Sequence, residues 1–201
     1  SEIMERENKD MIVNMLYVRS SLERANESRR EMEAVNVKLL KQSETDQMTG
    51  LANRYRLNDY SDKVLDYCYE HRLPLAMEIL DIDFFKQYND NYGHQQGDEC
   101  IIAIADELKK MEDRQTFCAR YGGDEFIIIY AGASAEEVYA KAAALRQNIM
   151  DLKLEHLYSK ALPIVTISQG ISYGVPENGN RLGFSTYCRY VVISGKEEKQ
   201  K

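Results

Sequence analysis

Apolar residues in the first 44 positions keep a seven-residue beat. Met4, Met11, Val18, Ala25, Met32 and Leu39 form one seam, and Met15 and Leu22 fill part of a second. The stretch contains no Gly or Pro, so the pattern predicts one long helix that pairs in a coiled coil. Asn8, Arg29 and Asn36 interrupt the second seam; such polar residues fix register while weakening the coil, which suits a helix that passes on a signal.

After "SETDQMTGLANR" the beat changes to that of a compact mixed domain. Leu57, Tyr60, Val64 and Tyr67 stand at helical spacing and predict a helix from Arg54 to about Glu70. "LPLAMEILDIDFF" is an apolar run ending in acids, which predicts a buried strand whose C-terminal end opens on a site. "GDECIIAIADELKKME" predicts a helix over 97–112, and "FCARYGGDEFIIIY" predicts two strands joined by a tight turn at Gly122 and Gly123. Ser134 with Glu137 forms a capping box that opens a helix over 135–151, and "LPIVTISQGISYG" is the last strand. This order describes an α/β sandwich with a mainly antiparallel sheet flanked by helices. The organisation expected is a signalling helix over 1–44, a compact domain over 45–182 and an atypical tail over 183–201.

Composition narrows the function. The chain has 201 residues, 44% of them hydrophobic, and 33 acids against 26 bases give a net charge of −7. The only lysine-rich block is the short tail, so binding of nucleic acid by a charged face is not expected. Cys68, Cys100, Cys118 and Cys188 lack CxxC spacing and sit in apolar patterns, which reads as reduced thiols in a cytoplasmic setting. No apolar run reaches the ~18 residues of a membrane span, and no signal peptide is visible. The helical start at Ser1 is read as a piece of a longer protein, with a sensor upstream and room there for a membrane anchor.

Two acidic clusters carry the chemistry. "LDIDFF" ends one strand with Asp81 and Asp83, and "GGDE" sets Asp124 and Glu125 at the tip of the hairpin. On adjacent strands these carboxylates repel one another, and hard oxygen ligands of this kind select Mg²⁺ or Mn²⁺. Gly122 and Gly123 leave bare backbone beside the acids, so a phosphate or ribose can approach. The ligand expected is a metal-bound nucleoside triphosphate.

Taken together, "DQMTGLANR", "DIDFFKQYNDNYGHQQGD", "RYGGDEF" and "VTISQGIS" strongly resemble the GGDEF family of diguanylate cyclases, which join two GTP molecules into cyclic di-GMP. The resemblance covers 46 to about 174 and implies a palm-like fold. It implies Asp81, Asp124 and the carbonyl of Ile82 as metal ligands, with Glu125 assisting. Asp124 is implied to help take the proton from the ribose 3′ hydroxyl, and Lys86 to offset charge in the transition state. Amides of Phe84 and Phe85 are implied to hold the terminal phosphates, Asn89 and Asp98 to read guanine, and His94 to lie near the nucleotide. Asp83 fits a structural role equally well, and Asp46 with Arg54 is expected to fix the turn that enters the domain. Each such domain holds one GTP, so the resemblance implies a homodimer, brought together here by the N-terminal helix.

Two departures stand out. Family members often carry an inhibitory RxxD product site ending five residues before the glycine pair; here 113–116 read Asp-Arg-Gln-Thr, so that inhibition is not expected. The family also continues into a helix with a pattern like ADxALYxAKxxGRN, whereas this chain ends "RLGFSTYCRYVVISGKEEKQK". A DNA stretch encoding "DFLHIADTLLYQVK" can be chosen so that, read one base out of register, it gives residues 183–196. A frameshift between about Gly183 and Ser194 is therefore the expected origin of the tail, and tryptic peptide mapping distinguishes "IADTLLYQVK" from "YVVISGK". By count, Lys196 occupies the phosphate-binding lysine's place and Gln200 the arginine's. The alternative function is a GGDEF domain crippled by its tail that binds GTP or a protein partner as a regulatory module.

Overall fold

The computed structural model describes residues 2–42, 44–177 and 189–193. By internal contacts the chain divides into two compact units, 1–43 and 44–201. The first is α1 (Glu2–Gln42), a single 41-residue helix. Its seam residues Met11, Met15, Val18, Leu22, Met32 and Leu39 are all exposed. Among the described residues no helix is long and apolar enough to cross a membrane.

The second unit runs α2 (Arg54–His71), β1 (Leu75–Ile82), α3 (Phe85–Tyr92), α4 (His94–Met111), β2 (Thr116–Gly122), β3 (Glu125–Ala131), α5 (Ala135–Asp151), β4 (Ile167–Gly174) and β5 (Arg189–Ile193). The described strands form one sheet in the order β2-β3-β1-β4-β5, and every neighbouring pair is antiparallel. The α+β architecture and mainly antiparallel sheet expected from the sequence are present.

Alternation along the strands decides which helix covers which face. Ala76, Leu80 and Ile82 of β1, with Phe126, Ile128 and Tyr130 of β3, pack under α4 and α5. The opposite faces of β1 and β3, through Leu75, Ile127 and Ile129, pack on Leu57, Val64 and Cys68 of α2. Val138, Ala142, Leu145 and Ile149 form the buried stripe of α5, a helical spacing of three and four. Ser134 accepts from the Glu137 amide at 3.2 Å while the Glu137 carboxylate accepts from the Ser134 amide at 2.8 Å, so the capping box exists as read.

Three local features differ from the sequence reading. The motif after β1 contains a separate helix, α3, which the polar run "KQYNDNYGHQQ" hides. Helix α4 begins at His94, ahead of the expected position 97. The tail, where the resemblance calls for a helix, contributes the edge strand β5, pairing Tyr173 with Arg189 through Gln169 with Ile193; its Val-Val-Ile run suits a strand.

The middle of the sheet also holds a polar cluster. Glu78 of β1 is fully buried and accepts from Tyr130 Oη and Gln169 Nε2, each at 2.6 Å. Burial pushes its carboxyl above the ordinary glutamate range, against the opposing pull of these two bonds.

Candidate active site

The site forms where the cover of α2 stops. Ile79 lies on the α2 face of β1 and is 47% exposed, and Asp81, two residues on, shares that face. The register sets Asp81 directly opposite Glu125 on β3 and opposite Ser168 on β4. Gly123 and Asp124 make the two-residue tip between β2 and β3, with Gly122 paired to Glu125. Gly123 has φ +55°, a left-handed conformation that favours glycine. A Cβ on either Gly122 or Gly123 meets nothing within 4 Å, so the backbone beside the acids borders open space.

These placements load one spot with negative charge. Burial, then the charges of Asp124, Glu125 and Asp83, then a hydrogen bond with Asp124, push the Asp81 carboxyl up to about 6. Asp81 thus favours keeping its proton when no cation is present. Among the described residues no three His, Cys, Asp or Glu side chains converge to hold an ion. Asp81 and Asp124 offer the hard carboxylate oxygens that a divalent cation takes, and Glu125 adds charge from across the strands.

Asp83 faces inward. It is 4% exposed, its carboxylate accepts from Thr166 Oγ1 at 2.7 Å and Ser168 Oγ at 2.6 Å, and its amide donates to the Thr166 carbonyl at 2.9 Å. These bonds give Asp83 the structural role that the sequence left open. The next residue, Phe84, sits in the left-handed region at φ 57°, ψ 31° and serves as N-cap of α3 without a side-chain cap bond. The start of α3, where the helix dipole favours an anion, therefore lies at the segment of Phe84 and Phe85. Lys86 on the first turn of α3 is exposed, as are His94 and Asp98 on α4.

Asn89 points between α3 and α4. A Cβ on Gly97 would fall 1.9 Å from Asn89 Oδ1, so the glycine lets the amide lie against the α4 backbone. Asn89 Oδ1 is buried without a hydrogen-bond partner among the described residues. Lys196 lies outside the described residues.

The turn "DQMTG" is tied differently from expectation. Asp46 accepts from the Thr49 amide and hydroxyl at 2.9 and 2.7 Å and from Arg120 Nη1 at 3.1 Å. Arg120 also donates to the Gly123 carbonyl at 2.7 and 3.0 Å. The partner of Asp46 is thus Arg120, and Arg54 instead lies 4.4 Å over the Tyr121 ring, where its cation meets an aromatic face. Burial alone would raise the Asp46 carboxyl, yet the bonds from Thr49 and Arg120 hold it below the usual range. One guanidinium therefore joins the domain's entry turn to the tip of the acidic hairpin. Sequence reading passed over Arg120, Gly97 and His156; the arginine and glycine lie inside the quoted motifs, whereas the isolated His156 carries no signal of spacing.

Comparison with known proteins identifies the family. The family described as "Diguanylate cyclase, GGDEF domain" matches residues 43–183. The chain is 34% identical over 133 residues to the probable diguanylate cyclase DgcC of Escherichia coli K12, covering 66% of this chain and 34% of that protein. It is 32% identical over 171 residues to the diguanylate cyclase DgcP of Pseudomonas aeruginosa, covering 84% of this chain and 25% of that protein. The chain thus spans between a quarter and about a third of these relatives. Among solved structures, the coiled coil and GGDEF domain of DgcB from Caulobacter crescentus, in complex with c-di-GMP, superposes with a TM-score of 0.62 at 27% identity, covering 81% of this chain and 86% of that one. With the GGDE turn, Asp81 facing it from β1 and a family match over residues 43–183, the chain belongs to the GGDEF family.

Proposed function

We propose that this chain is the output domain of a diguanylate cyclase, condensing two GTP into cyclic di-GMP and two pyrophosphates. The observation that carries the reading is the pairing of Asp81 with the GGDE turn on the open end of the sheet. Asp81, Asp124 and the Ile82 carbonyl would hold Mg²⁺ or Mn²⁺, with Glu125 supporting the charge balance. When bound, the cation neutralises triphosphate charge and makes the ribose 3′ hydroxyl easier to ionise.

The chain's own residues then divide the work. Asp124, at the hairpin tip, orients the 3′ hydroxyl and accepts its proton. The amides of Phe84 and Phe85 hold the terminal phosphates at the start of α3, and Lys86 stabilises charge that builds during transfer. Asn89 and Asp98 face one guanine from two helices; a carboxylate accepts from N1 and N2, a pattern adenine does not offer. His94, at the start of α4, borders the nucleotide. One domain supplies one such set, so the second GTP comes from a second copy, and α1 holds the two copies close through its heptad seam. We take 1–44 as the signalling helix and 45–182 as the enzyme domain, working in the cytoplasm under an upstream sensor.

The deciding experiment is incubation with GTP and Mg²⁺, detection of cyclic di-GMP, and an Asp124→Ala control. Product formation abolished in the control supports the reading. Binding of GTP without product overturns it in favour of a regulatory module.

A further inference from the structure

The geometry points to His156 as a positioning residue that holds the Phe84–Phe85 segment in the shape needed to grip a triphosphate. The inference rests on the reading of those amides as the phosphate hold. His156 lies in the connection between α5 and β4 and is completely buried. Its Nε2 stands 3.2 Å from the Phe84 carbonyl oxygen. That oxygen can only accept, so Nε2 carries the proton and donates.

The same oxygen also accepts from the Tyr88 amide at 3.0 Å, the first helical bond of α3. Two donors thus fix the carbonyl of a residue held at φ 57°, a conformation costly for a phenylalanine that persists only where its surroundings impose it. The connection that carries the histidine is itself anchored. The His156 amide donates to the Pro163 carbonyl at 2.9 Å, the Leu157 amide to Tyr92 Oη at 3.0 Å, and Glu155 bridges to Ile164. The Tyr88 ring meets the imidazole edge-on at 5.1 Å. Together with Thr166 and Ser168 on Asp83, one stretch of chain grips two consecutive residues of the loop between β1 and α3.

Packing alone does not account for a histidine here. His156 Nδ1 is buried and has no hydrogen-bond partner among the described residues. A purely structural site would be served better by a ring without that orphaned nitrogen, so the bond from Nε2 is what the imidazole adds.

His156→Phe keeps the ring and removes the donor; His156→Gln keeps a donor on a shorter side chain. Hydrogen exchange of the peptide 82–92 is followed in both, alongside binding of a non-hydrolysable GTP analogue with Mg²⁺. For His156→Phe we expect a cooperatively folded protein, faster exchange of the Tyr88 amide, and about tenfold weaker analogue binding, the scale of one buried hydrogen bond. His156→Gln should recover part of both losses, which a merely structural role would not produce. A folded His156→Phe with wild-type exchange over 82–92, or with faster exchange and unaltered analogue affinity, overturns the inference. Should the unaltered chain bind no guanine nucleotide, the reading of the site falls, and the exchange comparison still upholds or overturns the hold of His156 on Phe84.

Discussion

Gly97→Ala tests the guanine-reading role proposed for Asn89 without substituting that residue. The added Cβ would lie 1.9 Å from Asn89 Oδ1, 3.0 Å from its Cγ and 3.3 Å from Phe85 Cζ. Carbon contacts relax at about 3.5 Å or more, so the amide tip must retreat by roughly 1.5 Å. The backbone need not move, because the atom in the way is the end of a side chain. Overpacking of this kind costs about 1–3 kcal/mol, and alanine regains about 1 kcal/mol over glycine within a helix. The net loss of stability is therefore at most about 2 kcal/mol, or a fall in Tm of no more than about 8 °C for a domain of this size. Function should suffer more, since a displacement of this order in a positioning group costs up to about 100-fold. We expect kcat/KM for GTP to fall about 10- to 100-fold. The preference for GTP over inosine triphosphate, which lacks the N2 amino group, should shrink with it. The assay measures cyclic dinucleotide formation from each nucleotide, with thermal unfolding as the control for folding. A folded Gly97→Ala protein with wild-type kcat/KM and wild-type preference would refute the role given to Asn89.

Four further outcomes are expected. Without divalent cation, the raised Asp81 carboxyl binds a proton that the unfolded chain releases, so this group's stabilising contribution is complete below pH about 3.8 and is lost as pH rises through about 6; thermal unfolding at pH 7.5 should show Mg²⁺ raising Tm, and Asp81→Asn abolishing that response. Glu78 is likewise raised by burial, so its contribution is lost as pH climbs above the ordinary glutamate range; in denaturant titration the unaltered protein should lose stability relative to Glu78→Gln as pH rises from about 5 to about 8, and a difference independent of pH would refute this. Arg120→Ala removes the bonds to Asp46 and Gly123 and should cost about 2–3 kcal/mol, with Arg120→Lys failing to restore it because the forked contact is lost; full rescue by lysine would count against that account. Charged residues in place of Met11, Val18 and Leu22 should give monomers by light scattering with little activity, and an unchanged rate per chain would sink the dimer reading.

The parts legible in the sequence are those whose signal is local. The heptad of α1, the stripe of α5, its Ser134–Glu137 cap and the strand-ending acids Asp81 and Asp124 each announce themselves within a few positions. Helix α3 was hidden because its buried residues are only Phe85 and Tyr88, too few to show a period amid polar neighbours. The true partner of Asp46 lay 74 residues away in Arg120, and spacing along the chain says nothing about such a contact when Arg54 stands nearer. His156 reaches 72 residues back to Phe84 for the same reason. The sequence displayed groups that bear charge at element ends; it concealed the residues that hold them, because holding is done from another part of the fold.

That division bears on how activity is controlled. The acids, the start of α3 and Asn89 with Asp98 all belong to one domain, and on the proposed reading they would serve one nucleotide. Joining two nucleotides therefore depends on how often a second domain presents its own set, a quantity fixed by tethering and not by any group within the site. A paired helix raises the effective concentration of the partner to the millimolar range for a short, flexible link, and to nearly nothing if geometry keeps the domains apart. A strong, uniform coil would hold one geometry permanently. Asn8, Arg29 and Asn36 in the second seam lower the stability of pairing while restricting its register, so small changes imposed upstream can shift which arrangement is populated. Arg120 then offers a direct contact between the turn that follows α1 and the Gly123 carbonyl, so the residues joining helix to domain are braced against the hairpin that carries Asp124. On the proposed reading, activity would be set by the pairing of α1.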